Sequence, residues 1–305
     1  IFMENNMRDY ITYFNGEWLP WSQVHVDIDD LGFQLGDVVF EYARTFNGKP
    51  FTWEEHIDRL YRSLQYVRND IDVSQDEMLK IHYEIIERNE MYRNEVGDFN
   101  IIPFVTRGLS FEGKGNVFVR IKPINFGEFI PWYETGVHGV IAKSRSYSSI
   151  SLDPKVKHHS RMNMVLGTLE ARDVDVNASP IFMDVDGNIS EGNAFNIMLV
   201  KDGVIKTPTD RSILQGVSRS VVIGLAKNIG IPISEENIQP YDLYAADEVF
   251  FVRSTPCIVP CSKVDNRNIG ESDEFPGPVT KQLLAAYSEL VGLDIIDQSK
   301  HYGNK

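Results

Sequence analysis

Hydrophobic and polar residues in the first half of the chain follow periods that predict short strands joined by tight turns. Apolar segments flank Asn15-Gly16, a dipeptide that favours the turn of a β-hairpin, and so predict a hairpin there. A second hairpin is predicted over residues 38–51, with Asn47-Gly48 at its turn. Further apolar segments predict strands at residues 100–106 and 117–123.

Helical spacing of apolar residues predicts two helices in the same half. The first runs from Trp53 to about Arg68, and its apolar stripe is formed by Ile57, Leu60, Leu64 and Val67. Thr52, followed three residues later by Glu55, predicts a capping box at the start of this helix. The second helix is predicted over residues 75–89.

The pattern lapses between Asn125 and Gly139, and the second half then alternates strands with helices. Strands are predicted at residues 139–144, 179–185, 194–200 and 248–252, and helices at residues 161–172, 218–228 and 278–290. We therefore predict an α+β protein with two domains. The small domain covers residues 10–126, an interdomain connection covers 127–139, and the large domain covers 140–299.

Composition narrows the class of protein. The chain is 42% hydrophobic and 24% charged, as in ordinary globular proteins, and its formal net charge of −14 argues against nucleic-acid or anionic-membrane partners. No apolar stretch reaches membrane-spanning length, and residues 1–7 lack the pattern of a signal peptide, so a cytoplasmic protein is expected. Cys257 and Cys261 form an isolated CxxxC, which predicts reduced thiols and no metal site.

The candidate chemistry centres on a lysine and a later carboxylate. Lys157 ends the run Asp153-Pro154-Lys155-Val156-Lys157, and Glu170-Ala171 follows thirteen residues later. Further along, Glu191 opens the segment Glu191-Gly192-x-x-x-Asn196. A pyridoxal phosphate enzyme requires an amine for the cofactor's aldehyde and a carboxylate for its ring nitrogen, so this pair predicts that cofactor.

Three separate segments offer donors for a phosphate group. Gly216 precedes a predicted helix, where backbone N–H groups and the hydroxyl of Ser218 can face an anion. Arg59 lies at the edge of the buried stripe of its helix, although a solvated arginine paired with Glu55 one turn back is the more common explanation of such a residue by itself. Thr255 ends a predicted strand, where threonine is often only a turn residue.

Taken together, these motifs resemble the class IV (fold type IV) pyridoxal phosphate aminotransferases. That group includes branched-chain amino acid, D-amino acid and (R)-selective amine transaminases, and aminodeoxychorismate lyase. The resemblance extends from about Tyr13 to Leu290. Its motifs are Gly36-Asp37-x-x-Phe40-Glu41, His56-x-x-Arg59-Leu60, Lys157 with Glu170-Ala171, Glu191-Gly192-x-x-x-Asn196, Thr207-Pro208, Leu214-x-Gly216-Val217-Ser218-Arg219, Ala246-Asp247-Glu248-Val249-Phe250, Ser254-Thr255 and Gly277-Pro278-Val279-Thr280.

The resemblance implies a fold and a role for each matching residue. The fold would be a small α/β N-terminal domain followed by a larger, mixed, β-barrel-like domain. Lys157 would form the internal Schiff base and then shuttle the substrate proton, with Lys155 as its only rival, and Glu191 would face the pyridine nitrogen. The phosphate would be bound by Arg59, Val217, Ser218 and Thr255. The family is usually homodimeric, with a loop of one subunit reaching the active site of the other.

The substrate is less clearly encoded. Branched-chain enzymes typically carry a Tyr-x-Arg-Pro-like strand, whereas residues 100–108 are apolar where that arginine would be, and residues 109–115 lack the Arg-x-His of D-amino acid transaminases. Arg107 or Lys114 would then have to supply a charge for a substrate carboxylate. The candidate pocket residues are Leu35, Phe40, Tyr42, Arg107 and Pro256.

Several activities are compatible with these motifs. The segments around Lys157 and residues 195–201 look most similar to (R)-selective amine transaminases, which favours a ping-pong exchange between a hydrophobic amine or amino acid and a 2-oxo acid. A branched-chain or D-amino acid aminotransferase is the first alternative. A lyase of the aminodeoxychorismate lyase type is the second, and a non-catalytic binding protein is the third.

Overall fold

The computed structural model describes residues 9–270 and 274–303. Residues 1–7, for which no signal peptide is predicted, lie outside the described residues, as do residues 271–273 of the predicted large domain. The chain forms two compact units. Unit 1 contains the residues up to Ile124 together with Lys157–Ser160, and unit 2 contains Asn125–Val156 and the residues from Arg161 onward.

Unit 1 combines one antiparallel sheet with helices. Its strands are β1 (Ile11–Phe14), β2 (Glu17–Pro20), β3 (Val38–Phe40), β4 (Ala43–Phe46), β5 (Lys49–Pro50), β6 (Phe99–Thr106) and β7 (Asn116–Pro123). Its α-helices are α1 (Leu31–Leu35), α2 (Trp53–Val67), α3 (Gln75–Asn89) and α4 (Arg93–Val96), and short 3-10 turns span Trp21–Gln23 and Glu90–Tyr92. The hairpin around Asn15-Gly16 is confirmed, since β1 pairs with β2.

The sheet of unit 1 has the strand order β2-β1-β7-β6-β4-β5, with β3 also paired to β6. Side chains on neighbouring positions of a strand point to opposite faces. One face packs against α2 and α3 and forms a core with residues such as Val105, Val119 and Leu60. The opposite face carries Phe40 and Phe104, which are cross-strand partners. The sheet therefore has one face for the core and one aromatic face.

The start of α2 differs from the prediction. Thr52 has φ of +53°, and its hydroxyl donates to the Phe51 carbonyl at 2.7 Å, so no side-chain cap forms. A capping residue normally has extended backbone angles, which place its oxygen near the helix amides, and the left-handed Thr52 does not. The capping box with Glu55 is thus wrong. A capping box is instead present at Ser74 and Glu77, at the start of α3.

Unit 2 contains the remaining described strands and helices. The strands are β8 (Val137–Arg145), β9 (Ser179–Met183), β10 (Ile189–Gly192), β11 (Phe195–Lys201), β12 (Val204–Pro208), β13 (Ile233–Glu236), β14 (Glu248–Arg253), β15 (Cys257–Val264) and β16 (Arg267–Asn268). The helices are α5 (Ile130–Thr135), α6 (Met162–Val174), α7 (Val217–Asn228), α8 (Pro240–Tyr244), α9 (Pro278–Val291) and α10 (Ile295–Gly303), with a 3-10 turn at Phe126–Glu128. The segment predicted as a connection thus holds a 3-10 turn, α5 and the start of β8.

Six strands of unit 2 close into a ring. The order β10-β9-β8-β15-β14-β11 returns to its start because β10 also pairs with β11, through Glu191 with Asn196 and Gly192 with Phe195. This closed sheet confirms the predicted β-barrel-like region. Its core contains Phe195 and Phe251, whose rings stack with centroids 4.0 Å apart.

No described helix combines the length and the apolar character required to cross a lipid bilayer. Cys257 and Cys261 are both buried in β15, and no disulfide joins these two described residues. Within residues 9–270 and 274–303, no group of three or more His, Cys, Asp or Glu side chains is placed to hold a metal ion.

The closure of the ring predicts the effect of a methyl group at Gly192. A Cβ there would lie 2.0 Å from the Phe195 ring, which is already stacked on Phe251, so Gly192→Ala should lower the unfolding free energy by about 1–3 kcal/mol. The matched control is Gly224→Ala in α7, where a Cβ would meet nothing within 4 Å. That variant should raise stability by about 0.5–1 kcal/mol, because alanine favours a helix. Urea unfolding of both variants checks the contrast, and equal effects would contradict it.

Candidate active site

Lys157 lies against the aromatic face of the unit 1 sheet. The Phe40 amide donates to the Lys157 carbonyl at 3.0 Å, and the His159 amide donates to the Val38 carbonyl at 2.9 Å. These bonds hold the lysine backbone beside β3. The Lys157 Nζ lies 4.7 Å from the centroid of the Phe40 ring. The predicted reactive lysine and one predicted pocket residue are therefore neighbours.

Arg59 is held by a buried carboxylate. Its Nε donates to Glu41 Oε1 at 2.6 Å and its Nη2 to Glu41 Oε2 at 2.7 Å, while His56 Nδ1 lies 2.7 Å from the same Oε2. All three side chains are buried. Arg59 is therefore a buried arginine paired with Glu41, and not the solvated arginine of the alternative interpretation. Glu41 reaches Arg59 because it occupies the two-residue break between β3 and β4, where the chain leaves regular strand geometry.

The charges in this cluster follow from burial and pairing. Burial alone would raise the pKa of Glu41, but Arg59 and His56 together hold that pKa well below its usual range. Burial lowers the pKa of His56, and the positive charges of Arg59 and Lys157 lower it further, which outweighs the opposing effect of Glu41. Glu41 is thus ionised, and His56 is neutral with Nδ1–H donating to it.

The other predicted pocket residues of unit 1 have different surroundings. Tyr42 is partly buried next to Glu41, and Leu35, at the end of α1, is 60% exposed. Arg107 is buried and bonds the Asp37 carboxylate at 2.7 Å and the backbone carbonyls of Val67 and Arg68 at 2.6 and 2.5 Å. Arg107 therefore links the end of α2 to Asp37, and all three of these contacts are internal.

In unit 2, Glu191 and Asn196 hold the same residue from two sides. Glu191 Oε2 accepts the Leu214 amide at 3.0 Å, and Asn196 Nδ2 donates to the Leu214 carbonyl at 3.0 Å. The two side chains are register partners on β10 and β11, so they point to the same side of the sheet. A Cβ at Gly216 would lie 2.0 Å from Asn196 Oδ1, which explains the glycine at that position. These contacts fix the loop that leads into α7.

Helix α7 begins with an N-terminus suited to an anion. It starts at Val217, one residue before the predicted start, with Gly216 as its N-cap and no side-chain capping bond. Val217 and Ser218, in its first turn, are both buried. The first amides of a helix have no partner within the helix and carry partial positive charge, so they attract phosphate.

Thr255 and Pro256 occupy the turn between β14 and β15, and both are buried. The Pro256 carbonyl accepts the Tyr133 hydroxyl at 2.6 Å, which fixes the turn to α5. Glu170 follows Lys157 by thirteen residues in the motif. Its carboxylate accepts hydrogen bonds from the amides of Lys143 and Ser144 at the end of β8.

Comparison with known proteins shows the family. The model of amino-transferase class IV matches residues 38–264. A putative branched-chain-amino-acid aminotransferase of Methanocaldococcus jannaschii is 34% identical over 283 residues, covering 91% of this chain and 95% of that protein. A D-alanine aminotransferase of Listeria monocytogenes is 31% identical over 290 residues, covering 91% and 94%. The crystal structure of the Escherichia coli branched-chain amino acid aminotransferase superposes with a TM-score of 0.85 at 28% identity, covering 94% and 95% of the two chains.

The chain belongs to the class IV aminotransferases. Enzymes of this family use pyridoxal phosphate, and both units of this chain carry residues whose chemistry suits the parts of that cofactor. Unit 2 offers an uncapped helix start for a phosphate and a buried carboxylate, Glu191, for a ring nitrogen. Unit 1 offers the Lys157 amine beside an aromatic ring, and the buried cation Arg59.

Three residues around these groups were not assigned by the sequence. Glu41 and His56 lie within two of the motifs, and His56 stands three residues before Arg59 on the same helical face, which was a usable signal. Arg161 is the third. Burial lowers the pKa of its guanidinium, and the nearby Glu191 carboxylate offsets part of that change, so the two side chains interact in this class IV aminotransferase.

The Glu41–His56–Arg59 cluster makes a prediction about acid sensitivity. The pKa of His56 is lower in the folded protein than its ordinary value near 6.5, so the unfolded chain takes up a proton first as the pH falls. The free energy of unfolding should therefore keep its full value above about pH 6.5 and decline below that pH. Glu41, whose pKa is also lowered in the folded protein, should add to the decline below about pH 4.5 for the same reason.

The measurement is the urea midpoint of the wild type and of His56→Gln, each between about pH 7.5 and pH 5.5. The variant keeps a hydrogen-bond donor for Glu41 but cannot titrate, so its midpoint should fall less over that range. His82 is also buried, with a pKa lowered to about 4 mainly by burial, so it adds to the decline in both proteins. Parallel slopes for the two proteins would show that His56 does not contribute.

Proposed function

We propose that Lys157 is the residue that holds pyridoxal 5′-phosphate covalently in this aminotransferase, and that Glu191 faces its pyridine nitrogen. The phosphate is assigned to Arg59, Val217, Ser218 and Thr255. The observation that carries this proposal is the way Glu191 and Asn196 fix Leu214. These bonds tie the buried carboxylate of β10 to the loop that leads into the N-terminus of α7 in unit 2.

The proposed roles follow from the chemistry of each group. When bound, the cofactor supplies an electron-withdrawing ring that makes the proton on the amine-bearing carbon of the substrate removable. A negative charge on Glu191 would favour a proton on the ring nitrogen. Once the substrate amine has displaced it, the Lys157 amine accepts that proton and returns it at a neighbouring carbon. Glu41 orients the guanidinium of Arg59, so that little conformational freedom is lost when an anion binds.

We propose that the exchange takes place between a hydrophobic amino acid and a 2-oxo acid. The names of the relatives, branched-chain-amino-acid and D-alanine aminotransferases, support amino acids as substrates. The apolar rings of Phe40 and Phe104 on the aromatic face of unit 1 support a hydrophobic side chain. The hypothesis of an (R)-selective amine transaminase has no comparable support from the names of these relatives. Half-reactions with the enantiomers of 1-phenylethylamine test it directly.

The test is a set of half-reactions in which one amino donor is added without an acceptor. The donors are L-leucine, D-alanine and the two enantiomers of 1-phenylethylamine, and the cofactor absorbance is followed. A transaminase converts its cofactor stoichiometrically to the pyridoxamine form. Lys157→Ala should slow this conversion by at least about 100-fold, because no acid–base group remains to move the proton. Lys155→Ala is the matched control, because the Lys155 Nζ lies 3.6 Å from Asp153 Oδ1 and the proposal gives this lysine no part in the reaction.

Each outcome separates the candidate functions. Conversion by an amino acid supports the proposal, whereas conversion by one enantiomer of 1-phenylethylamine alone would replace it with an amine transaminase. Turnover of a donor without an acceptor would indicate a lyase. Equal activity in Lys157→Ala and the wild type would remove Lys157 from the reaction, and the absence of any cofactor absorbance would indicate a binding protein.

We also propose that the enzyme is a homodimer. Helix α6 exposes an apolar stripe at the spacing i, i+3, i+4 and i+7, formed by Met162, Val165, Leu166 and Leu169, each at least 50% exposed. Such a stripe on a helix is typical of a surface that another protein covers. The resemblance to a homodimeric family supports a second copy of the chain as that protein.

Light scattering of the purified enzyme checks the dimer. Leu166→Glu should shift the mass to that of one chain, because it places a charge in the stripe. Leu290→Glu is the control, since Leu290 is similarly exposed, at 53%, on the separate helix α9. A wild-type mass of one chain would contradict the dimer, as would equal dissociation by the two variants.

A further inference from the structure

Arg120 is an arginine that none of the sequence motifs contains. It lies on β7, where its cross-strand partner is Ile102 of β6. Two residues further along the same pair of strands, Phe104 is partnered with Phe118, and Phe104 is in turn partnered with Phe40 of β3. Because side chains alternate between faces, Arg120 points to the aromatic face of the unit 1 sheet.

The guanidinium of Arg120 is surrounded by rings. Its Cζ lies 4.9 Å from the centroid of the Trp21 ring and 5.2 Å from that of the Phe104 ring. Arginine interacts favourably with aromatic faces through its charge and its flat shape. Burial lowers the pKa of this guanidinium, and the nearby Tyr42 phenol partly opposes the change. The side chain is thus partly buried and held in place by apolar surfaces.

Among the described residues, no carboxylate lies within 4.0 Å of this guanidinium, and its buried Nε has no hydrogen-bond partner. The three fully buried arginines of unit 1 differ in this respect. Arg44 lies 3.9 Å from Asp98, Arg59 bonds Glu41, and Arg107 bonds Asp37. Since the buried Nε of this partly buried guanidinium lacks a partner within the described part of the chain, Arg120 has the character of a group that binds an anion.

The aromatic face connects Arg120 with the reactive lysine. Phe104, beside Arg120, stacks on Phe40 with ring centroids 6.2 Å apart, and Phe40 lies 4.7 Å from the Lys157 Nζ. Arg120 and Lys157 thus both lie against the same pair of phenyl rings on the aromatic face. An α-amino acid carries its amino group, its carboxylate and its apolar side chain on one carbon, so a single substrate can present all three groups to this face.

We propose that Arg120 binds the carboxylate of the amino acid donor and of the 2-oxo acid acceptor. This inference rests on the proposed function, since it assigns a substrate contact within the same reaction. The planar guanidinium can donate two parallel hydrogen bonds to a carboxylate, and the aromatic surroundings strengthen them by excluding water. A substrate without a carboxylate leaves the guanidinium unpaired and gains nothing from it. Arg120 therefore makes the enzyme selective for amino acids over simple amines.

The test compares the wild type with Arg120→Gln and Arg120→Lys, using the amino acid donor that the wild type converts and a carboxylate-free amine. For Arg120→Gln, kcat/KM should fall about 10- to 100-fold for the amino acid and the 2-oxo acid, mainly through KM, and change little for the amine. For Arg120→Lys, kcat/KM for the amino acid should lie between the values of the wild type and of Arg120→Gln, because lysine keeps the charge but loses the paired donors.

Arg88→Gln is the matched control. Arg88 also lies over an aromatic ring, 4.5 Å from the centroid of Trp18, but it is paired with Glu84 at 2.6 Å and is exposed. Its replacement should leave all kinetic constants unchanged. A second readout does not require turnover: calorimetric binding of the unreactive carboxylate 3-methylbutanoate should weaken in Arg120→Gln and in part in Arg120→Lys.

Three results would overturn the assignment. The first is an equal loss for amino acid and amine substrates, which would show a structural role. The second is unchanged KM and unchanged 3-methylbutanoate binding in both Arg120 variants. The third is loss of carboxylate binding on Arg107→Gln and not on Arg120→Gln. If the wild type converts no donor at all, the proposed function fails, and the calorimetric comparison still decides the role of Arg120.

Discussion

A buried carboxylate organises the chemistry of unit 1. Glu41 is ionised in a place without solvent, and such a charge is tolerated only when it is fully paired. Arg59 and His56 provide that pairing, which ties α2 to the break between β3 and β4. The same break follows Phe40, whose amide holds the backbone of Lys157. One ion pair therefore fixes the positions of a cation and of the strand that holds the aromatic ring of Phe40 and the backbone of Lys157.

The sequence was sufficient for features that depend on local patterns. The bounds of α3 were predicted to the residue, and β6, β7 and α9 to within one residue, because apolar periodicity and turn dipeptides act over a few positions. The capping box at Thr52 failed because a left-handed backbone angle is invisible in residue types. The short strand β10 was missed, since its four residues are too few to show a period and its partners β9 and β11 define it.

The roles of Arg107 and Arg120 were harder to predict from the sequence than the bounds of the helices and strands. Arg107 was a reasonable candidate to bind a substrate carboxylate. In the structure, its guanidinium instead donates hydrogen bonds to the Asp37 carboxylate and to two backbone carbonyls at the end of α2. The family motifs place a carboxylate-binding arginine on the strand over residues 100–108 or in residues 109–115, whereas Arg120 lies on the next strand, opposite Ile102. Its one signal in the sequence was a charge within an apolar strand. Whether an arginine is paired or available depends on residues distant in sequence, and only the fold supplies that information.

The way Leu214 is held has a consequence for cofactor binding. Its amide bonds Glu191 and its carbonyl bonds Asn196, while the next residues form the start of α7. Under the proposed roles, the carboxylate that faces the ring is hydrogen-bonded to the peptide segment whose amides bind the phosphate. Any change in free energy at one end is then felt at the other, and this coupling is reciprocal by thermodynamic linkage. The phosphate group would thus act as an effector of the electronic state of the ring, in addition to anchoring it.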